Sequence, residues 1–200
     1  MMMKKTRYIL LVLCLIAGLN AYSQVVDFYS SVNYGISLPT GNTKDFIKNS
    51  SFRGFSFEFG RFITDEISLG FMGAWFVFYE NFPKDTYEFD NLTVTGKKYH
   101  YINAFPLMLA GRYHFRYGSQ LRPYAGAGIG TYIINKTTDM GLYNDQNKRW
   151  HFGIYPEAGI LFELGTEMYF NLGARYNYAF KSGGDHHSWL SFQAGITFIY

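Results

Sequence analysis

From Val26 to Tyr200 the chain alternates apolar side chains with polar or small ones over one short segment after another. A period of two marks a β-strand with two unlike faces, because successive side chains point to opposite sides of a sheet. The segment Ser188–Tyr200 is typical. Leu190, Phe192, Ala194, Ile196, Phe198 and Tyr200 share one parity; Ser191, Gln193, Gly195 and Thr197 share the other. The same pattern predicts eight strands, at about Val26–Leu38, Ser51–Phe62, Ile67–Tyr79, Tyr99–Phe115, Pro123–Ile134, Trp150–Phe162, Met168–Phe180 and Ser188–Tyr200. The third strand leaves its facing open: Met72, Phe76 and Phe78 lie opposite Leu69, Phe71, Trp75 and Val77, and both sets are apolar. In the fourth, Asn103 falls among the greasy positions. Pro106, which has no N–H for a ladder, predicts a bulge there.

The connections alternate in length. Pro39–Ser50, Glu80–Lys98 and Asn135–Arg149 are long and polar. Ile63–Glu66, Arg116–Arg122 and Glu163–Glu167 are short, and Lys181–His187 leads into the last strand. Gly126-Ala127-Gly128-Ile129-Gly130 resembles a nucleotide loop only superficially. Its glycines alternate with outward residues inside a strand, and no helical pattern follows. Glycines on the inner face of a narrow closed sheet relieve crowding.

The first residues read differently. Lys4, Lys5 and Arg7 precede an apolar run from Tyr8 to Leu19, and Ala21-Tyr22-Ser23 places small residues at the positions of a cleavage site. The run has twelve residues, whereas a spanning helix needs about 20. The expected organisation is a signal peptide over 1–23 and one domain over 24–200. Cys14 is the only cysteine and lies in the leader, preceded by Leu13, which is too bulky for a lipobox. The mature chain then holds no disulfide and no thiol chemistry. Removing the leader also leaves 15 Lys and Arg against 15 Asp and Glu, a balance that argues against nucleic acid as a partner. Nothing after the leader forms a transmembrane helix. A membrane protein built from these strands must close, because lipid offers no partner to an open sheet edge.

Taken together, the leader, the eight amphipathic strands, the alternation of long and short connections and the terminal aromatic Tyr200 resemble small outer-membrane β-barrels of the outer-membrane protein A and X type. Gln24 after the cleavage site resembles exported proteins of the Bacteroidetes type. The resemblance implies an all-β fold, an eight-stranded antiparallel up-and-down transmembrane β-barrel in the cell outer membrane, with long loops outside and tight turns in the periplasm. It also implies that Tyr200 helps present the last strand to the barrel assembly machinery, so that deleting it or making it charged impairs assembly more than stability. Tyr101 and Tyr113, on one strand, fit aromatic girdles: their spacing spans about 28–30 Å of a tilted strand, near the height of the apolar band. A soluble lipocalin-like barrel would need the opposite facing, greasy side in. The polar parities here are rich in Gly, Ser and Asn and poor in Lys, unlike a solvated surface.

Few residues suggest chemistry. Glu58, Arg112, Glu157 and Arg175 take inner-face parity. Opposite charges in a barrel interior are expected to pair, since an isolated buried charge is expensive. Glu157 and Arg175 flank the turn near Gly165 at similar depth and are expected to form a buried ion pair. Tyr124 and Tyr155 add bulk to the same space, so the lumen is expected to be closed. Arg53 and Arg61 take lipid-facing parity near strand ends, where they snorkel to the interface; Arg53 is alternatively a contact for a lipopolysaccharide phosphate. His186-His187-Ser188 locally resembles lipid A deacylase, another eight-stranded barrel. No Asp or Glu follows Ser188, so that enzyme's third group is missing, and the two histidines are expected in a loop. No metal site or cofactor is expected. Phe46, Ile47, Tyr87, Phe89, Met140, Leu142 and Tyr143 in the long loops make either a surface for another protein or polymer, or a cover over the barrel mouth.

The expected function is therefore structural or interactive and not enzymatic, with outer-membrane lipid and lipopolysaccharide around the barrel. A lipid-A-modifying enzyme is the alternative. A change in lipid A acylation that disappears on Ser188→Ala or His186→Ala would select it.

Overall fold

The structure is a computed structural model that describes residues 27–89, 92–116, 118–141 and 144–200. The proposed leader with Cys14, and the loop residues Leu142 and Tyr143, lie outside the described residues. Eight strands form one closed antiparallel ring in sequence order: β1 (Phe28–Thr40), β2 (Ser51–Phe62), β3 (Ile67–Phe89), β4 (Leu92–His114), β5 (Leu121–Asp139), β6 (Asn144–Glu163), β7 (Met168–Ala179) and β8 (His187–Ile199). One short helix, α1 (Gly41–Phe46), follows β1. β1 pairs with β8 from Tyr29↔Ile199 to Thr40↔Ser188, and Phe28 and Tyr200 exchange backbone hydrogen bonds of 2.6 and 2.9 Å beyond that ladder. Closure therefore leaves the membrane portion with no free sheet edge.

The alternation in the sequence becomes inside against outside. Phe55, Trp75, Leu109 and Phe152 point away from the barrel and are each more than half exposed, at 51–58%. Their opposite-parity neighbours are buried or half-buried on the lumen side. This facing excludes the soluble binding barrel, whose greasy face would line the cavity. Asn103 on the outer face accepts a 3.2 Å hydrogen bond from Trp75 Nε1, which satisfies a carbonyl that would otherwise meet lipid. Tyr79, Tyr99 and Tyr101 cluster toward one end and Tyr113 with Phe115 toward the other. Aromatic rings at two heights are the girdles of a membrane barrel.

Three expectations change. The long connections Glu80–Lys98 and Asn135–Arg149 are largely strand: β3 and β4 run to Phe89 and Leu92, and β5 and β6 to Asp139 and Asn144. Residues 80–89 alone add about 30 Å of strand at about 3.3 Å per residue. Water bathes both faces of such a hairpin, so its sequence need not alternate. Its stability comes instead from cross-strand pairs: Thr86 hydrogen-bonds Thr95 at 2.9 Å, and Lys98 Nζ sits 4.7 Å from the Phe82 ring and 4.3 Å from the Tyr87 ring. Pro106 causes no bulge. Its pairing to β5 is in register, and the β3–β4 register is the same on both sides of it; the shift lies between Phe82 and Asp85. Finally, His187 is not in a loop: it begins β8 and is buried.

The second apolar face of β3 now has a place. Met72, Phe76 and Phe78 point inward and pack with Ile102, Met108, Tyr132, Ile134 and Trp189 under the mouth at the long-hairpin end.

Candidate functional site

The interior and its mouth are the parts of the molecule where polar chemistry converges. The interior is filled in three tiers. At the end with tight turns, Tyr29, Phe62, Tyr124, Leu161, Tyr169 and Ile199 pack together. Arg122 lies over the Tyr169 ring at 4.5 Å, and His114 Nε2 is 3.0 Å from Ser68 Oγ.

The middle tier is ionic. Glu157 on β6 is directly opposite Arg175 on β7 in the ladder, and Arg175 reaches it from Nη2 at 2.7 Å and from Nε at 3.1 Å. The structure adds the other two inner-face charges to this pair. Arg175 Nη2 also donates to Glu58 Oε1 at 2.6 Å, while Arg112 donates to both Glu58 and Glu157. Each arginine thus bridges both carboxylates, and the four make a ring of zero net charge whose members are buried. Aromatic faces complete the cage: Arg175 Cζ is 4.3 Å from the Tyr155 ring and Arg112 Cζ is 4.9 Å from that of Tyr124. Glycine makes room for these rings. A Cβ on Gly128 would lie 2.3 Å from the Tyr155 ring, which is why glycine stands opposite tyrosine in the β5–β6 ladder. Parity alone placed all four charges inside; their closure into a ring depends on register across the six strands from β2 to β7.

A polar seam joins this tier to the closing strands. Asn171 on β7 donates to Asn33 Oδ1 on β1 at 2.8 Å and accepts from Tyr124 at 3.0 Å. Asn33 in turn donates to Ser31, which also accepts from Thr197 at 2.9 Å.

The third tier is the apolar plug. Trp189 is wholly buried, with Phe76, Phe78 and Tyr132 rings at 5.5–5.8 Å in edge-to-face contact. Ile47, just past α1, is buried in the same cluster, so the first long connection folds down into the mouth. Phe46 stacks on His100 at 3.9 Å and His100 Nδ1–H donates to the Phe46 carbonyl at 2.9 Å. Met140 is also buried. Phe46, Ile47 and Met140 thus cover the mouth more than they present a surface. Trp189 and the helix went unnoticed in the sequence, although Trp189 has the inner parity of β8.

His186, His187 and Ser188 stand at the rim. Ser188 Oγ donates to the Thr40 carbonyl at 3.2 Å and accepts from the Thr40 hydroxyl at 2.9 Å. His187 Nδ1 is 3.4 Å from Thr43 Oγ1, and the His186 ring stacks on Tyr178. The nearest acid in sequence, Asp185, is 3.5 Å from Lys136. The Ser188 hydroxyl is therefore committed to the backbone of β1. Among the described residues, no group of three or more His, Cys, Asp or Glu side chains is placed to hold a metal ion.

Arg53 is exposed on the outer face, its guanidinium 6.0 Å from the Tyr79 ring at the level of the upper girdle. Tyr200, 60% exposed, points outward beside the seam with β1.

A closed ring of eight amphipathic strands, greasy outside and filled inside by an ionic ring and polar seam between two apolar clusters, defines an outer-membrane β-barrel. The sequence matches the profile of the outer membrane protein beta-barrel domain over residues 9–198, and the chain belongs to that family. Among solved structures, it is similar to neisserial surface protein A, with 17% identity, a TM-score of 0.52, and coverage of 88% of this chain and 97% of that one. It is also similar to the outer membrane protein OprG from Pseudomonas aeruginosa, with 14% identity, a TM-score of 0.53, and coverage of 87% and 95%. At these identities the likeness shows the fold. No curated protein sequence matches significantly. The protein thus resides in the outer membrane, with its long hairpins facing out of the cell and its tight turns facing the periplasm.

Proposed function

We propose that this protein is a non-enzymatic barrel whose work is done at its extracellular end, with a lumen closed to solutes and the tall hairpins as the interaction surface. The observation that carries this reading is the asymmetry of the molecule. Buried side chains fill the interior in three tiers, while β3, β4, β5 and β6 alone rise past their neighbours as a curved wall. A filled eight-stranded interior has no room for a water column. A wall well above the membrane offers exposed backbone edges and mixed polar surface to another protein or to a surface polymer. Arg53, beside Tyr79, is positioned to hold a lipopolysaccharide phosphate where the wall meets the outer leaflet. Refolded protein in a planar bilayer is expected to show no steady unitary conductance; a stable large conductance refutes the closed lumen. Shortening the β3–β4 hairpin between Glu80 and Lys98 is expected to remove cell-surface binding without changing the level of folded barrel. Unchanged binding sinks the role given to the wall.

The last strand serves assembly. Tyr200 → Asp is expected to lower the amount of barrel in the outer membrane severalfold, while the urea midpoint of protein refolded in detergent moves little. The reason is that the side chain faces outward and fills no interior space, so its loss leaves the three tiers intact. A charge there meets the apolar-to-polar boundary, where the folded cost is about 0–1 kcal/mol. Normal outer-membrane levels would refute the assignment.

A further inference from the structure

A small cavity opens at the extracellular mouth, between the wall and the start of β8. It is lined by Lys136, Asn147, Arg149, His151, Asp185 and His187, among others, and holds about 70 Å³. A space of about 10–15 Å³ of this kind already holds one water, so the cavity takes a few waters or one tetrahedral oxyanion. The closed lumen and the hairpin tips have no part in this site.

The donors around it are prepared. Arg149 Nε donates to Asn147 Oδ1 at 2.8 Å and Nη1 to the Ser182 carbonyl at 3.2 Å, which fixes the plane of the guanidinium; Nη2 has no hydrogen-bond partner among the described residues. Gly183, at φ +61°, and Gly184 let the loop lie directly against this guanidinium. Lys136 reaches the cavity from the neighbouring strand across the Phe46 ring, 4.1 Å away. His151 and His187 are more than nine-tenths buried, their rings 5.3 Å apart. His151 Nδ1–H donates to the Phe180 carbonyl at 2.9 Å, so its Nε2 is the free nitrogen; His187 Nε2 likewise has no hydrogen-bond partner among the described residues.

Charge decides what such a cavity takes. Two imidazole nitrogens and a carboxylate could in principle attract a divalent cation, but Lys136 and Arg149 line the same space and outnumber Asp185. We propose that the mouth cavity is a binding site for a phosphomonoester, such as the phosphate of a phosphorylated saccharide. Its doubly charged head has acceptor oxygens for the Lys136 and Arg149 donors, and a second ionisation near pH 6 leaves it partly protonated, able to donate to an imidazole Nε2. Lipid phosphates in the membrane plane lie outside the barrel wall, so the source is soluble or carried on a surface glycan.

The test is calorimetric titration of the detergent-refolded full barrel with glucose 6-phosphate, glucose and inorganic phosphate. Glucose 6-phosphate is expected to bind and glucose is not. Lys136→Met is expected to weaken binding about tenfold, as for loss of one charge-assisted hydrogen bond. Asp185→Asn, which removes the only acid in the cavity, is expected to strengthen it. Opposite signs are the discriminating feature, because Lys136 and Asp185 pair with each other and a purely structural role would move both variants the same way. No binding to the wild type, equal binding of glucose, or weakening by both substitutions overturns the proposal. Inorganic phosphate binding at least as tightly as the ester overturns the saccharide assignment and identifies free phosphate as the ligand.

Discussion

Replacing Glu157 by Gln is expected to lower the urea midpoint of the folded barrel more than any isosteric change in the interior outside the ionic ring. The carboxylate accepts from Arg175 twice and from Arg112 once. Gln keeps the volume but removes the charge and turns one acceptor into a donor facing a guanidinium. The ring then carries a net positive charge, out of reach of water, with Glu58 alone to balance two arginines. Breaking a buried ion pair from one side costs about 3–5 kcal/mol, a large share of a typical stability margin of about 5–15 kcal/mol. Arg175 is already under-satisfied, since its Nη1 has no hydrogen-bond partner among the described residues. Glu58→Gln should behave alike. The double variant Glu157→Gln with Arg112→Met restores neutrality and should be less damaging than the sum of its single changes, which a double-mutant cycle reads directly. An unchanged midpoint for Glu157→Gln would show that the ring does not stabilise the barrel.

Gly195→Val is expected to prevent closure, with loss of the compact folded band in an unheated gel and near-absence from the outer membrane. Gly195 sits on β8 between Asn33 on β1 and Asn171 on β7. The hydrogen bond between those two asparagines passes over it. A Cβ there would lie 2.0 Å from the Val32 carbonyl oxygen and 2.5 Å from Asn33 Oδ1. The first contact is with backbone at the seam, so relief requires moving β1 away from β8. Overpacking alone costs about 1–3 kcal/mol, and each buried amide left without its partner adds about 1–3 kcal/mol. A seam that stays open exposes two strand edges to lipid, which has nothing to pair with them. Gly195→Ala should show the same defect in milder form. Wild-type levels of folded Gly195→Val would refute the argument.

Strand number, strand order and, on every strand but the third, facing were legible because each follows from a local rule. Period-two alternation marks a strand, and the composition of the two parities separates lipid from lumen. β2 appears where it was expected, Ser51–Phe62. The four charges of the ionic ring were legible as a set, since Glu58, Arg112, Glu157 and Arg175 break a mostly small or neutral parity; Arg122, buried over Tyr169, read as part of a turn. Glu157 opposite Arg175 was legible too, because a tight turn fixes the register of the hairpin around it. The extracellular hairpins were not. Beyond the membrane both sheet faces meet water, the alternation disappears, and a strand then reads as a polar loop.

By itself, then, the sequence determined the barrel, its polarity inside and out, and the depth of residues close to a tight turn. Only the tertiary structure decided which residues meet across the ring: the second carboxylate and second arginine around Glu157 and Arg175, Trp189 against β3 and β5, Ile47 in the mouth, and Lys136 with Arg149 beside the β8 histidines. The physical reason is that alternation states a side chain's face and nothing about its position around the circumference. That position is set by closure and stagger of all eight strands, a property of the whole ring.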